Sequence, residues 1–128
     1  MPSRHPDWML QAERDLEQAV DSQAAERHEW ACFAAQQAAE LGLKALHLHL
    51  RQDASGVAAR LLQELPDTVV VPEGLLDKAR VLDSYFVSAR YPDVHAAGSP
   101  GENYGPRQSE EGIRYAREIL EFVRAEMA

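Results

Sequence analysis

Phe33-Ala34-Ala35-Gln36-Gln37-Ala38-Ala39-Glu40-Leu41-Gly42-Leu43-Lys44-Ala45-Leu46 is the stretch that decides the fold. With Phe33 at zero and about 100° per residue, Gln36, Gln37, Glu40, Lys44, His47 and Arg51 fall within about 60° of it. The opposite arc holds Ala31, Ala35, Ala38, Ala39, Gly42, Leu43, Ala45, Leu46 and Leu50. A surface helix shows a narrower apolar face than this. The pattern therefore predicts a helix over about 27–52 at the centre of the molecule. Gly42 weakens a helix by about 1 kcal/mol relative to Ala, so close packing by a neighbour is a reason to keep it.

Working outward, Trp8, Ala12, Leu16, Ala19 and Val20 recur at helical spacing and predict a helix over about 6–21. Asp53-Ala54-Ser55-Gly56 ends the central helix, and a short helix over about 57–65 stops before Pro66. Thr68-Val69-Val70-Val71 is β-prone but has no partner strand, so it reads as an extended connection. Leu75, Ala79, Leu82, Phe86 and Ala89 predict a helix over about 73–90. Ile113, Ala116, Leu120 and Val123 predict the last, over about 108–126. Arg107, Arg114, Arg117 and Arg124 alternate there with Glu110, Glu111, Glu118 and Glu121, the pattern of an ion-paired solvated face. Between the last two helices, residues 91–107 form a loop holding three of the seven prolines and three of the seven glycines. Loops of that length are unusual and often functional. The expected fold is an all-α, up-and-down four-helix bundle with one additional short helix.

The 128 residues fit one domain, with its core over about 6–126 and the loop over 91–107. Apolar residues make up 45% and charged residues 27%, as in ordinary globular chains. A single cysteine excludes an internal disulfide framework and a cysteine-rich zinc site. The N-terminal Met1-Pro2-Ser3-Arg4-His5-Pro6 has no apolar signal core, and the apolar stretch 31–50 is broken by Gln, Glu, Lys and His. The chain reads as cytoplasmic, with no membrane contact. Its net charge is −8, with both halves acidic, so bulk electrostatics do not favour nucleic acid. A phosphate ligand requires a local cluster of cations.

Arg90-Tyr91-Pro92-Asp93-Val94-His95 supplies one such candidate: a permanent cation and a near-neutral base at a helix end. An imidazole can draw the proton from a ribose 2′-hydroxyl while a guanidinium forks onto the phosphate, without metal. The spacing alone is unspecific. With 11 arginines and 5 histidines in 128 residues, about one such pair arises by chance. The bland alternative has Arg90 paired with a carboxylate and His95 solvated. The polar stripe of the central helix, with a favourably ordered Glu40–Lys44 pair and Phe33 and Trp30 beside it, is either a solvated face or the lining of a subunit interface or ligand groove. His28 and Cys32 have nucleophile–base spacing, but Cys32 lies among apolar neighbours and reads as structural. His47 and His49 point to different sides of a helix, so no metal site is expected. Gly98-Ser99-Pro100-Gly101 lacks a P-loop lysine and reads as a flexible turn.

The order of these features resembles the HEPN domain (higher eukaryotes and prokaryotes nucleotide-binding). The resemblance runs from Trp8…Ala12…Asp15-Leu16…Ala19 through the central Phe33-to-Leu46 segment, then Leu61-Leu62…Leu65. It continues over Leu82-Asp83…Tyr85…Ala89-Arg90-Tyr91-Pro92-Asp93, Tyr104 and Ala116…Ile119-Leu120…Phe122-Val123. It implies a bundle that dimerises and, in many microbial members, a small nucleotidyltransferase partner with which it forms a toxin–antitoxin pair. It also implies that active members are metal-independent endoribonucleases, whose arginine and histidine, four to six residues apart, meet the second subunit's pair in a dimer cleft. Arg90 and His95 match that spacing. The chain departs from the pattern at Tyr91 and Pro92, at Ala97, where some relatives carry a tyrosine modified by the partner, at Leu41 and Gly42, and near Val57-Ala58, where a histidine is missing.

Two function classes follow. One is a noncatalytic dimeric module that contacts nucleotide or RNA and works with a nucleotidyltransferase. The other is an endoribonuclease toxin with Arg90 as phosphate clamp and His95 as general base. A plain structural bundle is the third reading. The candidate ligand or interface residues are Phe33, Gln36, Gln37, Glu40, Lys44, Tyr91, Asp93 and Tyr104. No cofactor and no metal is expected.

Overall fold

A computed structural model describes residues 3–53 and 55–128. Met1 and Pro2 of the N-terminal reading, and Ala54 of the break after the central helix, lie outside the described residues. The chain forms helices α1 (His5–Ala24), α2 (His28–His49), α3 (Ala58–Gln63), α4 (Leu75–Ser88), α5 (Pro100–Asn103) and α6 (Pro106–Met127). A single 3₁₀ turn covers Pro92–Val94. No strand occurs among the described residues, as an all-α reading requires.

α2 is the centre of the bundle, in agreement with its wide apolar arc. It packs against α1, α3, α4, α5 and α6, and twelve of its 22 residues are buried. Its alanines let neighbours approach. A Cβ on Gly42 would collide with Cδ2 of Leu120 from α6, so this glycine is a seat for a leucine side chain. On α6, a Cβ on Gly112 would lie 3.2 Å from the Tyr85 ring of α4. The core assembled around these contacts includes Leu43, Leu46, Leu61, Leu82, Ile119, Leu120 and Val123, all fully buried.

The structure moves several boundaries. α1 continues to Ala24, three residues past Asp21, and α2 follows after a turn in which Glu26 takes φ 62°. α6 starts at Pro106 rather than Gln108; proline at the first helical position loses no intrahelical bond there. The loop over 91–107 is not structureless. Besides the 3₁₀ turn it holds α5, closed by a capping box in which Ser99 and Glu102 satisfy each other's backbone N–H groups. Gly98-Ser99-Pro100-Gly101 is therefore a built helix start, not a flexible turn. Residues 68–71 are not a strand: Val69 and Val71 pack on the core while Val70 is exposed. The arginine–glutamate interleaving of α6 does not pair along one face. The ion pairs of this helix bridge to its neighbours instead, Lys78 to Glu118 at 2.8 Å and Arg124 to Glu13 at 3.3 Å.

Candidate functional site

α4 ends at Ser88, and the chain leaves it through Ala89 and Arg90 toward the 3₁₀ turn that Pro92 opens. This last turn organises the site. The Arg90 guanidinium lies over the indole of Trp30, 4.0 Å from the ring centroid, and 5.9 Å from that of Phe33. Phe33 in turn packs edge-on to Trp30 and stacks on Phe86, each at 6.1 Å. Among the described residues, Arg90 has no carboxylate within ion-pair distance; its placement comes from the aromatic rings. Trp30, Phe86, Val87, Tyr91 and Val94 all leave substantial surface open to solvent around it.

His95 is held by the same helix end. Its Nε2 is 2.6 Å from the carbonyl of Ser88, a group at the C-terminus of α4 where intrahelical donors run out. A carbonyl only accepts, so Nε2 carries the proton in this bond, and Nδ1 is the nitrogen left to act as a base. Tyr104 forms the other wall, its ring 6.3 Å from the imidazole and nearly perpendicular to it. The Ser88 hydroxyl donates to the Ser84 carbonyl at 2.7 Å, so the Tyr104 hydroxyl is the donor to Ser88 Oγ. Burial raises the Tyr104 phenol above its ordinary value. Asn103 donates to the carbonyls of Ala97 and Ser99 and stiffens the segment between His95 and Tyr104. Arg90 and His95 therefore share one helix end, but no hydrogen bond joins them; each has its own anchor. Neither half of the bland reading describes them: among the described residues Arg90 has no carboxylate within ion-pair distance, and His95 is half-buried. Tyr91 and Asp93 are exposed beside them.

The stripe of α2 goes elsewhere. Gln36 is fully buried and donates to Asp83 of α4 at 3.1 Å and to Glu40 at 3.3 Å. Gln37 donates to Gln36 at 2.7 Å, and Lys44 to Glu40 at 2.8 Å. Lys44 and Glu40 side chains are only 20% and 13% exposed, so this is a half-buried network and not a solvated face. Asp83 closes it by accepting from the backbone N–H groups of Ala58 and Ala59 at 3.0 and 2.8 Å, which caps α3 from another helix. Of the stripe, Phe33 alone joins the Arg90 cluster.

The remaining chemistry-bearing residues are structural. His28 bonds Ser109 at 2.9 Å, not Cys32. Burial first, then the negative charges of Glu29 and Glu111, push the Cys32 thiol up to about 12, far from a usable nucleophile. His47 is buried on the Leu61 carbonyl at 2.7 Å, and His49 meets the ring of His5. Among the described residues no group of three or more His, Cys, Asp or Glu side chains could hold a metal ion.

Sequence reasoning places Trp30 beside the polar stripe but misses Ser88 and Asp83 as members of these sites. Trp30 had a signal, since it lies three residues before Phe33 on the same side of the helix. Ser88 and Asp83 act through a carbonyl and a cross-helix cap, which no spacing announces.

An all-helical bundle around an alanine-rich central helix, with an arginine and a histidine fixed at the end of its fourth helix, defines the class of protein. The chain belongs to the HEPN domain family, whose model matches residues 5–126. It is similar over its whole length to TT1696 from Thermus thermophilus, with 44% identity, coverage of 98% of this chain and 99% of that one, and a TM-score of 0.95. ST0689, an archaeal HEPN homologue, is 35% identical, with coverage of 99% and 100% and a TM-score of 0.84. A HEPN domain protein (tm0613) from Thermotoga maritima is 32% identical, with coverage of 93% and 95% and a TM-score of 0.76. Among curated proteins, none matches the chain.

Proposed function

We propose that this single-domain protein is a cytoplasmic, dimeric module that contacts RNA or a nucleotide through Arg90 and works with a small nucleotidyltransferase. The observation that carries the contact is the Arg90 guanidinium, laid on Trp30 with no carboxylate to neutralise it. A planar cation of this kind pairs bidentately with phosphate, and the rings around it offer stacking surface for bases. The whole surface works against such a ligand: each chain carries −8, so a dimer carries −16. The contact is therefore local and salt-sensitive. For the dimer, the support is the apolar surface on the other side of α2, where exposed Trp8 and partly buried Leu41 line one shallow groove. The nucleotidyltransferase partner rests on the family resemblance.

The test is binding of a labelled RNA oligonucleotide by wild type and Arg90→Ala at two salt concentrations. Loss of affinity and of salt dependence in the variant supports the reading; equal binding by both refutes it.

His95 favours a second reading, a metal-independent endoribonuclease in the manner of a toxin. Its Nε2–H is committed to Ser88 and its Nδ1 is available as general base, close in the chain to the phosphate ligand. RNA cleavage in the presence of chelator, abolished by His95→Ala, supports it. Equal activity in both proteins, or none in either, removes it.

A further inference from the structure

The groove between the end of α1 and the start of α2 contains a set of groups that the Arg90 contact leaves unused. Gln18, Asp21, Ser22, Ala25, Arg27 and Trp30 line a cavity of about 460 Å³. That volume lies within the range of roughly 300–1,000 Å³ typical of small-ligand sites. Trp30 belongs to both places: it forms one wall of the groove and carries Arg90 on its ring. It remains 45% exposed, a large apolar surface standing in water.

We propose that this groove is a base-binding subsite beside the phosphate held by Arg90, and that its ligand is an unpaired guanine of single-stranded RNA. The inference rests on the reading of Arg90 as a phosphate ligand. Three features select this ligand. Arg90 covers one face of the Trp30 ring, and the part of the indole that lines the groove provides the stacking surface that an unstacked base needs, which a base inside a duplex cannot reach. Arg27, exposed and without a carboxylate partner among the described residues, lies three residues before Trp30 and provides a second cation for the neighbouring phosphate. Among the polar groups of the groove, the Asp21 carboxylate is the one that only accepts. This carboxylate is exposed, and Gln18 donates one of its two amide N–H groups to Ser22 Oγ at 2.9 Å, leaving its carbonyl oxygen able to accept. A carboxylate repels phosphate, so the phosphates belong at the two arginines and the base edge belongs against Asp21. An edge with adjacent N–H donors, the N1–H and N2 amine of guanine, complements that carboxylate in the two-bond geometry by which carboxylates accept paired donors. Uracil and cytosine do not present that pair.

The experiment compares fluorescently labelled single-stranded oligonucleotides, one carrying guanine in a uridine background and one of uridine alone, with a duplex of the same sequence. Each is bound to wild type, Asp21→Asn, Arg27→Ala and Arg90→Ala over a salt series. The expected result is roughly tenfold tighter binding of the guanine strand, in line with a good bidentate base contact. That preference disappears in Asp21→Asn. The slope of log K against log salt falls by about 0.7 in Arg27→Ala, one phosphate contact on a single strand. Both positions are exposed, and among the described residues no side-chain hydrogen bond or ion pair joins either to Arg90, so these variants probe the groove. Binding lost in Arg90→Ala but unchanged in Asp21→Asn and Arg27→Ala overturns the subsite and leaves the Arg90 reading standing. Absence of binding by wild type overturns both. Preference for the duplex overturns the subsite, as does a Trp30→Ala protein that becomes monomeric while its RNA affinity is unchanged, because the groove is then an interface between copies.

Discussion

Replacing Asp83 by alanine should destabilise the bundle more than any other exposed or half-exposed acidic substitution. One carboxylate serves three donors from two other elements: Ala58 N–H at 3.0 Å, Ala59 N–H at 2.8 Å and Gln36 Nε2 at 3.1 Å. α3 has no cap of its own, since Val57 stands at its N-cap position. Loss of a capping side chain costs about 0.5–2 kcal/mol, and hydrogen bonds to a charged group contribute about 1.5–3 kcal/mol each. The three bonds share one acceptor, and Gln36 keeps Glu40 as a partner, so the costs do not add; about 3 kcal/mol is the expected total. For a chain of this length that corresponds to a drop of roughly 10–15 °C in Tm. Asp83→Asn retains an acceptor oxygen and should cost only about 1 kcal/mol. Urea unfolding followed by circular dichroism measures both, and a double-mutant cycle with Gln36→Ala isolates the inter-helix bond, expected near about 1 kcal/mol. Hydrogen exchange should show the Ala58 and Ala59 amides losing protection first. An Asp83→Ala protein within about 0.5 kcal/mol of wild type, or an Asn variant no better than the Ala variant, would refute the assignment of Asp83 as the cap of α3.

Other substitutions test other levels of the structure. Gly42→Ala should destabilise by about 1–3 kcal/mol despite the better helix propensity of alanine, because Leu120 must move; thermal unfolding with a stabilised outcome would show that α6 can retreat. Alkaline pH should weaken the fold: an ordinary thiol ionises near 9.0, whereas buried Cys32 holds its proton up to about 12. The unfolded chain therefore gives up that proton first, and stability, full below about pH 9, should fall by about 1 kcal/mol between about pH 9 and 10. Tyr85, raised by burial from 10.0, acts in the same direction. Urea curves across that range should show a weaker pH dependence of stability in Cys32→Ala, and an unchanged dependence would count against the assignment. Tyr104→Phe removes the hydroxyl bound to Ser88 and should lower stability by no more than about 1 kcal/mol; on the endoribonuclease reading it should also reduce RNA cleavage several-fold. Equal cleavage by the variant would show that Ser88 holds His95 without help.

What is legible in the sequence follows from periodicity. The burial of Ala35, Ala38, Ala39, Leu43 and Leu46 is written in the wheel of α2, and so is its central place. The Arg90–His95 pair is legible as a spacing, within a stretch that resembles the family. Its anchors are not. Ser88 contributes a backbone carbonyl, which every residue has, and Tyr104 is 16 positions away, brought back by a loop whose Gly-Ser-Pro-Gly composition hides a capping box. The polar stripe misleads for a related reason. A wheel shows which residues share a side of one helix, but not that Asp83 and Ala58 wait on the other side of it. Polar residues beside alanines suggest a face toward water, whereas the small neighbours let another helix close over them.

The arrangement at the end of α4 also explains how an acidic protein can keep a cation available. In a chain with 21 carboxylates and 13 cations, an arginine on the surface has many acidic side chains competing for it. A guanidinium already forked onto a carboxylate has fewer donors left to offer a phosphate. The ring of Trp30 holds Arg90 without neutralising it, because a cation over a π-face keeps its full charge and its in-plane donors. Lysine cannot substitute, since an ammonium lacks the planar face and the forked donors. The rings that keep Arg90 in place thus hold the cation while part of their own apolar surface stays exposed. The aromatic side chain at position 30 therefore holds the charge at position 90 where, among the described residues, no carboxylate lies within ion-pair distance.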